Sequence, residues 1–148
     1  MELVFHFKTT VIFMVFCPWY IMKILIIDDI KSITNLLDSF LTKKGHKCTV
    51  SNNANDGIAL IQDNEFDIIL LDMSMPEMDG NEFLEKLEHE GLLKKQKIIV
   101  MTAHSLSALE IELLMSKHGI CWFLKKPLSL SELLETIESL HNMEISQC

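Results

Sequence analysis

No cysteines stand at C-x-x-C spacing in this chain and no histidines pair at metal-ligand spacing, so nothing signals a zinc module or a small disulfide framework. The four cysteines, Cys17, Cys48, Cys121 and Cys148, are scattered and read as reduced thiols of a cytosolic protein. Positive charge is in short supply: 13 Lys and Arg face 21 Asp and Glu, a net charge of −8. A sequence-independent grip on nucleic acid needs clustered cations, so direct nucleic-acid binding is not expected. There is also no repeat, linker or low-complexity tract. The longest suspicious apolar run, Val11 to Met22, holds 12 residues with Pro18 inside it. A membrane helix needs roughly 20, so no stable membrane insertion is expected.

What is present is a chain of 148 residues, 49% apolar and 23% charged, the composition of one soluble globular domain with a proper core. Residues 1–21 stand apart as an apolar extension. One Lys before an apolar core has a signal-peptide flavour, but Glu2 and the bulky Phe16, Trp19 and Tyr20 fit a cleavage site poorly. The reading that fits best takes Met22 as the start, because Met22-Lys23 leads directly into the first strand. If the extension is made, it is expected to pack on the domain or to associate weakly with a membrane.

From Lys23 onward, short apolar runs alternate with amphipathic stretches. Lys23–Ile27, Ile68–Leu71 and Lys97–Met101 are continuous apolar segments bounded by polar or turn residues, as strands buried on both faces read. His46–Ser51 and Cys121–Leu124 are weaker strands. Helical spacing runs through Lys31–Lys44, Asn55–Asn64, Asn81–Glu90, a segment from a Ser105 cap to Lys117, and Glu132–His141. Gly45, Gly91 and Gly119 are expected to end helices. Five strand–helix alternations with short connections predict an α/β fold: a doubly wound, five-stranded parallel sheet with helices on both faces and right-handed crossovers. Residues 22–141 form that domain, and 142–148 read as a polar tail.

Every conspicuous polar group falls at the carboxyl end of a strand: Asp28 and Asp29, Asp72, Thr102 and Lys126. In an open α/β sheet those ends share one edge, where ligands bind. Three converging carboxylates repel each other, each pair by about 4 kcal/mol at 4 Å and an effective dielectric of about 20. A cation would neutralise them, and oxygen-only ligands favour a hard ion such as Mg²⁺, with Mn²⁺ as its substitute. A hydroxyl and an ammonium complete a site for an oxyanion, with phosphoryl the obvious candidate, and a carboxylate could be its nucleophile.

The motifs Ile26-Ile27-Asp28-Asp29, Leu70-Leu71-Asp72-Met73-Ser74-Met75-Pro76-Glu77-Met78-Asp79-Gly80, Met101-Thr102-Ala103 and Phe123-Leu124-Lys125-Lys126-Pro127, in this order, resemble those of response-regulator receiver domains of two-component and phosphorelay systems. The resemblance implies the flavodoxin-like (βα)5 fold, with Asp72 as phosphoacceptor. Asp29 would lie most directly on the metal, Asp28 would hold metal-bound water, and the backbone carbonyl of Ser74 would supply a further ligand. Thr102 and Lys126 would each take a phosphoryl oxygen, Lys126 rather than Lys125 because the family's lysine directly precedes its proline, often by a cis peptide. Phe123 occupies the position of the switch aromatic. Ser74 and His104 would flank the path of attacking water and tune phosphoryl lifetime, His104 by modulating access. The other histidines His46, His89, His118 and His141 read as surface residues.

Such a domain would take its phosphoryl group from a histidine kinase or histidine phosphotransfer protein in the cytoplasm. It would catalyse its own phosphorylation and slow dephosphorylation, and would present an altered surface from Ser105 to His141 to a downstream protein. With no output region after the domain, the sequence resembles the stand-alone receivers of chemotaxis or phosphorelays. Two other classes remain. A haloacid-dehalogenase-type phosphatase needs an acid two residues after its nucleophile, where this chain has Ser74. A phosphorylation-independent interaction module would not need the complete set of acids, hydroxyl and lysine.

Overall fold

The computed structural model describes residues 20–93, 96–118, 120–141 and 143. The strands are β1 (Lys23–Ile27), β2 (Lys47–Ser51), β3 (Ile68–Asp72), β4 (Ile98–Thr102) and β5 (Ile120–Lys125). The helices are α1 (Lys31–Lys43), α2 (Ala54–Asp63), α3 (Gly80–His89), α4 (Ala108–His118) and α5 (Leu130–His141). All strand pairs are parallel and the sheet order is β2-β1-β3-β4-β5. The doubly wound α/β architecture expected from the alternation is therefore the one observed.

The apolar runs are continuous because the central strands are covered on both faces. Leu25, Ile27, Ile69, Leu71, Ile98 and Val100 pack with Ile58, Ile61, Phe83, Leu84 and Leu87 of α2 and α3. The alternate residues Ile24, Ile26, Ile68, Leu70, Ile99 and Met101 pack with Leu37, Leu41, Leu133, Ile137 and Leu140 of α1 and α5. Burying side chains of this size contributes about 1.5–3 kcal/mol each, which fixes the register of every strand. Between β1 and β3 the winding reverses. The chain leaves β1 toward one face and β3 toward the other, opening a crevice at their carboxyl ends.

Helix ends follow local chemistry. Asn53 and Asp79 cap α2 and α3, accepting the Asp56 and Glu82 N–H groups at 2.8 and 2.9 Å. Two starts differ from the sequence expectation. α4 begins at Ala108 rather than just after Ser105, and α5 at Leu130 rather than Glu132. The reason is a Ser-x-x-Glu capping spacing in each: Ser107 exchanges bonds with Glu110, and Ser129 accepts the Glu132 N–H at 3.3 Å. Ser105 instead accepts from Lys125 Nζ at 2.9 Å. Gly45 and Gly91 adopt positive φ of 94° and 70° just past α1 and α3, as expected of helix terminators; Gly119 lies outside the described residues.

Of the amino-terminal extension only Tyr20 and Ile21 are described, both exposed, and the Tyr20 ring lies tilted by 34° against His141 at 3.9 Å between ring centroids. At the other end Met143 packs on the α1/α5 side of the core rather than hanging in solvent. The rest of both segments lies outside the described residues. His46 is half-buried, not a free surface residue, because its Nδ1 accepts the Met22 N–H at 3.4 Å. The side chain of His118 lies outside the described set. Cys48 is free, its thiol pushed up to about 11 by burial, whereas Cys121 is disulfide-bonded, a departure from the all-reduced expectation. Cys17 and Cys148 lie outside the described residues.

Candidate functional site

β1 and β3 are neighbours, with Ile27 beside Leu71, so the acids that follow them emerge side by side. One carboxylate oxygen each from Asp28, Asp29 and Asp72 lies within 4.8 Å of the others. Asp28 is 0% exposed and Asp72 2%, while Asp29 is half-exposed at the rim. Lys126 reaches this cluster from the far edge of the sheet. Its Nζ lies 2.7 Å from Asp28 Oδ2, in a hydrogen bond, and 3.0 Å from Asp72 Oδ1. The second contact is an ion pair outside hydrogen-bond alignment, so among the described residues Asp72 Oδ1 is a buried oxygen held by charge alone.

Burial is the largest single influence on the Lys126 ammonium and would lower its pKa. The contacts to Asp28 and Asp72 together outweigh it, and hold Lys126 above the ordinary lysine value of 10.5. Lys126 is therefore a fixed cation. The peptide joining Lys126 to Pro127 is cis, and the Lys126 backbone N–H donates to the Thr102 carbonyl at 2.8 Å. Lys125 points elsewhere, to Ser105.

Thr102 lies at the end of β4, 4% exposed. Its hydroxyl is held within its own loop, donating to the His104 carbonyl at 3.3 Å and accepting the His104 N–H at 3.1 Å. The His104 side chain is exposed. Phe123 is half-buried, and lines a small apolar pocket with Val100, Leu106, Ile111, Leu114, Met115 and Ile120. Ser74 is exposed on the loop after β3, and its side chain has no hydrogen bond with the described residues. That loop is pinned by Gly80, whose N–H donates to the Met73 carbonyl at 3.1 Å. A Cβ on Gly80 would stand 2.9 Å from Met73 Cα, so this close approach excludes any larger residue.

The structure thus brings Asp28, Asp29, Asp72 and Lys126 together and places Thr102 at the same edge, its hydroxyl turned to its own loop. It leaves Ser74, His104 and Phe123 on the surrounding loops and strand. A cleft of about 90 Å³ opens beside Asp29, walled by Asn52, Asn53, Ala54, Met75, Pro76 and Glu77. The donor set suits a hard divalent cation: three carboxylates converge and one buried oxygen lacks a donor. Sequence reasoning missed Asn52, whose amide donates to the Asp28 carbonyl at 2.9 Å. Nothing in an Asn-Asn pair ahead of a helix marks one of them as more than a cap.

Comparison with known proteins agrees with this fold. The family model "Response regulator receiver domain" matches residues 24–138. The Arabidopsis thaliana "Two-component response regulator ARR10" is 32% identical over 116 residues, 76% of this chain and 20% of that protein. The Salmonella typhimurium "Transcriptional regulatory protein ZraR" is 33% identical over 115 residues, 78% of this chain and 25% of its own length. The chain therefore spans about a fifth to a quarter of these relatives. The solved structure of the Francisella response regulator 1452 receiver domain superposes with a TM-score of 0.72 at 29% identity, covering 81% of this chain and 96% of that one. Among the described residues no helix is long and apolar enough to cross a membrane.

Proposed function

This chain belongs to the response regulator receiver domain family of two-component systems, and on that premise we propose that Asp72 is its phosphoacceptor. The observation that carries this reading is the burial of Asp72 between two further acids and a lysine at the sheet's carboxyl edge. Asp28, Asp29, Asp72 and the backbone carbonyl of Ser74 would hold Mg²⁺, with Mn²⁺ able to replace it. The ion supplies neutralising charge for the phosphoryl oxygens during transfer.

The remaining work falls to the chain's own groups. A histidine kinase or histidine phosphotransfer protein presents a phosphohistidine in the cytoplasm. A carboxylate oxygen of Asp72 attacks phosphorus in line; the new O–P bond forms as the P–N bond breaks, and its electron pair returns to the imidazole. Lys126, already 3.0 Å from Asp72 Oδ1, needs little movement to face a phosphoryl oxygen. Thr102 needs more: its hydroxyl must leave the His104 backbone, which draws the loop between β4 and α4 inward. Phe123 can then repack toward the apolar pocket beneath α4. The altered α4-β5-α5 surface is what a downstream protein would read, a two-state element biased by charge close to −2. Ser74 and His104 would flank the path of attacking water and set how readily it removes the phosphoryl group.

The test is transfer of labelled phosphoryl from acetyl phosphate or from phosphorylated kinases to the wild-type chain and to Asp72→Asn, with and without Mg²⁺. We expect the variant and the metal-free protein to lose essentially all labelling. Undiminished labelling of Asp72→Asn would falsify the assignment.

A further inference from the structure

Asn52 lies in the loop between β2 and α2, and its amide uses both protons. One goes to the Asp28 carbonyl oxygen at 2.9 Å, the other to the Thr34 hydroxyl at 3.0 Å. Thr34 is fully buried in α1 and donates in turn to the Lys31 carbonyl at 3.1 Å. One side chain therefore ties the end of β1, the β2–α2 loop and the first turns of α1.

The two acids differ in how they are held. Asp28 is fixed at every polar atom: its N–H donates to the Ser51 carbonyl at 3.2 Å, its carbonyl accepts from Asn52, and its carboxylate accepts from Ile30 N–H at 2.9 Å and from Lys126 at 2.7 Å. The Asp29 carboxylate receives no hydrogen bond from any described residue. The peptide that carries it is planar and contains the Asp28 carbonyl, Asp29 N and Asp29 Cα, so it fixes the point and axis from which the side chain departs, and the Asp29 torsions set the rest. Holding that oxygen holds the plane from which Asp29 departs.

We propose that Asn52 is a positioning residue for the acidic pair: anchored on buried Thr34, it fixes the Asp28–Asp29 peptide and so aims the Asp29 carboxylate at a divalent cation. This rests on the phosphoacceptor reading above and adds to it a group outside the motifs. Loss of the anchor is expected to weaken the ion without altering chemistry once the ion is bound.

The experiment is a Mg²⁺ titration of the full chain followed by backbone amide NMR shifts, with thermal unfolding alongside. Phosphorylation by acetyl phosphate is then measured against Mg²⁺ concentration. Asn52→Leu keeps the volume and removes both donors. Its Mg²⁺ dissociation constant is expected to rise roughly tenfold, the low end for outer-shell partners, while the rate at saturating Mg²⁺ stays near wild type. Thr34→Val, which frees the anchor but leaves the carbonyl bond, should give a smaller rise, and Thr34→Ser should restore the wild-type constant. Unchanged affinity in folded Asn52→Leu overturns the proposal. So does a saturating rate that falls in proportion to affinity, since that marks general structural damage. Asp29→Asn separates the two readings. Affinity undiminished by it sinks the acidic-pair assignment itself, whereas undiminished affinity in Asn52→Leu alone removes only the role of Asn52.

Discussion

At the amino end of the sheet, the Asp67 carboxylate accepts the Lys23 N–H at 2.7 Å, and Lys97 Nζ donates to the Leu140 carbonyl at 2.6 Å. At the carboxyl end the same residue types crowd together, three aspartates with carboxylate oxygens within 4.8 Å of one another and a lysine that reaches two of them. Both ends are built from the same strands, so the difference is one of partners. Asp67 and Lys97 each meet a backbone group and close the fold there. At the carboxyl end carboxylate faces carboxylate, and Lys126 is the cation that reaches two of them. Charge that repels charge is poor material for stability, and a site that must accept a cation and a phosphoryl group needs that deficit.

The comparison breaks first at Lys126. Replacing it by Met leaves Asp28 and Asp72 buried and facing each other without a counter-charge. Removing one partner of a buried pair costs about 3–5 kcal/mol, so chemical denaturation in EDTA should show a loss of that order. Mg²⁺ should recover part of it, because the ion replaces the missing charge. A loss under about 1 kcal/mol in EDTA would place this pair with ordinary surface ion pairs. The raised Lys126 pKa gives a linked expectation. Its contribution is fully present below the ordinary lysine value and is lost as pH rises through the folded value, so the stability difference between wild type and Lys126→Met should shrink only in strong alkali.

A smaller effect is expected at Asp67. Asp67→Ala removes one charge-assisted bond to the first residue of β1, worth about 1.5 kcal/mol, and should leave labelling by acetyl phosphate unchanged. Altered labelling would mean that the amino end is not merely structural.

The smallest expected effect is at His46. Burial holds its pKa below the ordinary 6.5, with His141 adding to the shift and Glu138 opposing it. The fold therefore favours neutral imidazole, the form that accepts the Met22 N–H. Its contribution is present above the unfolded value and is lost as pH falls through 6.5 toward the folded one. Thermal unfolding from pH ~7.5 to ~5 should show a slight decline that His46→Gln flattens. An identical profile in the variant would assign the decline to other groups.

Much of this could be read in one dimension because burial on both faces leaves an unbroken apolar run, as in Ile68–Leu71, and a parallel sheet lines up whatever follows each strand. That is why Asp28, Asp29, Asp72, Thr102 and Lys126 were legible as one constellation. The capping pairs Ser107–Glu110 and Ser129–Glu132 were not read: Ser105 offered the same chemistry ahead of α4, and only the partners in the fold decide. Asn52 was not legible: its importance comes from the Asp28 carbonyl, 24 residues away.

The sequence by itself determined the alternation of elements, the edge at which chemistry gathers and the acids available there, because periodicity and strand-end position are local properties. The tertiary structure alone decided that Lys126 hydrogen-bonds Asp28 while pairing in charge with Asp72, and that Thr102 rests on the His104 backbone. Those outcomes depend on ångström-scale distances between segments up to 98 residues apart, and hydrogen bonding and Coulomb energy fall off too steeply with distance and angle for residue order to specify them.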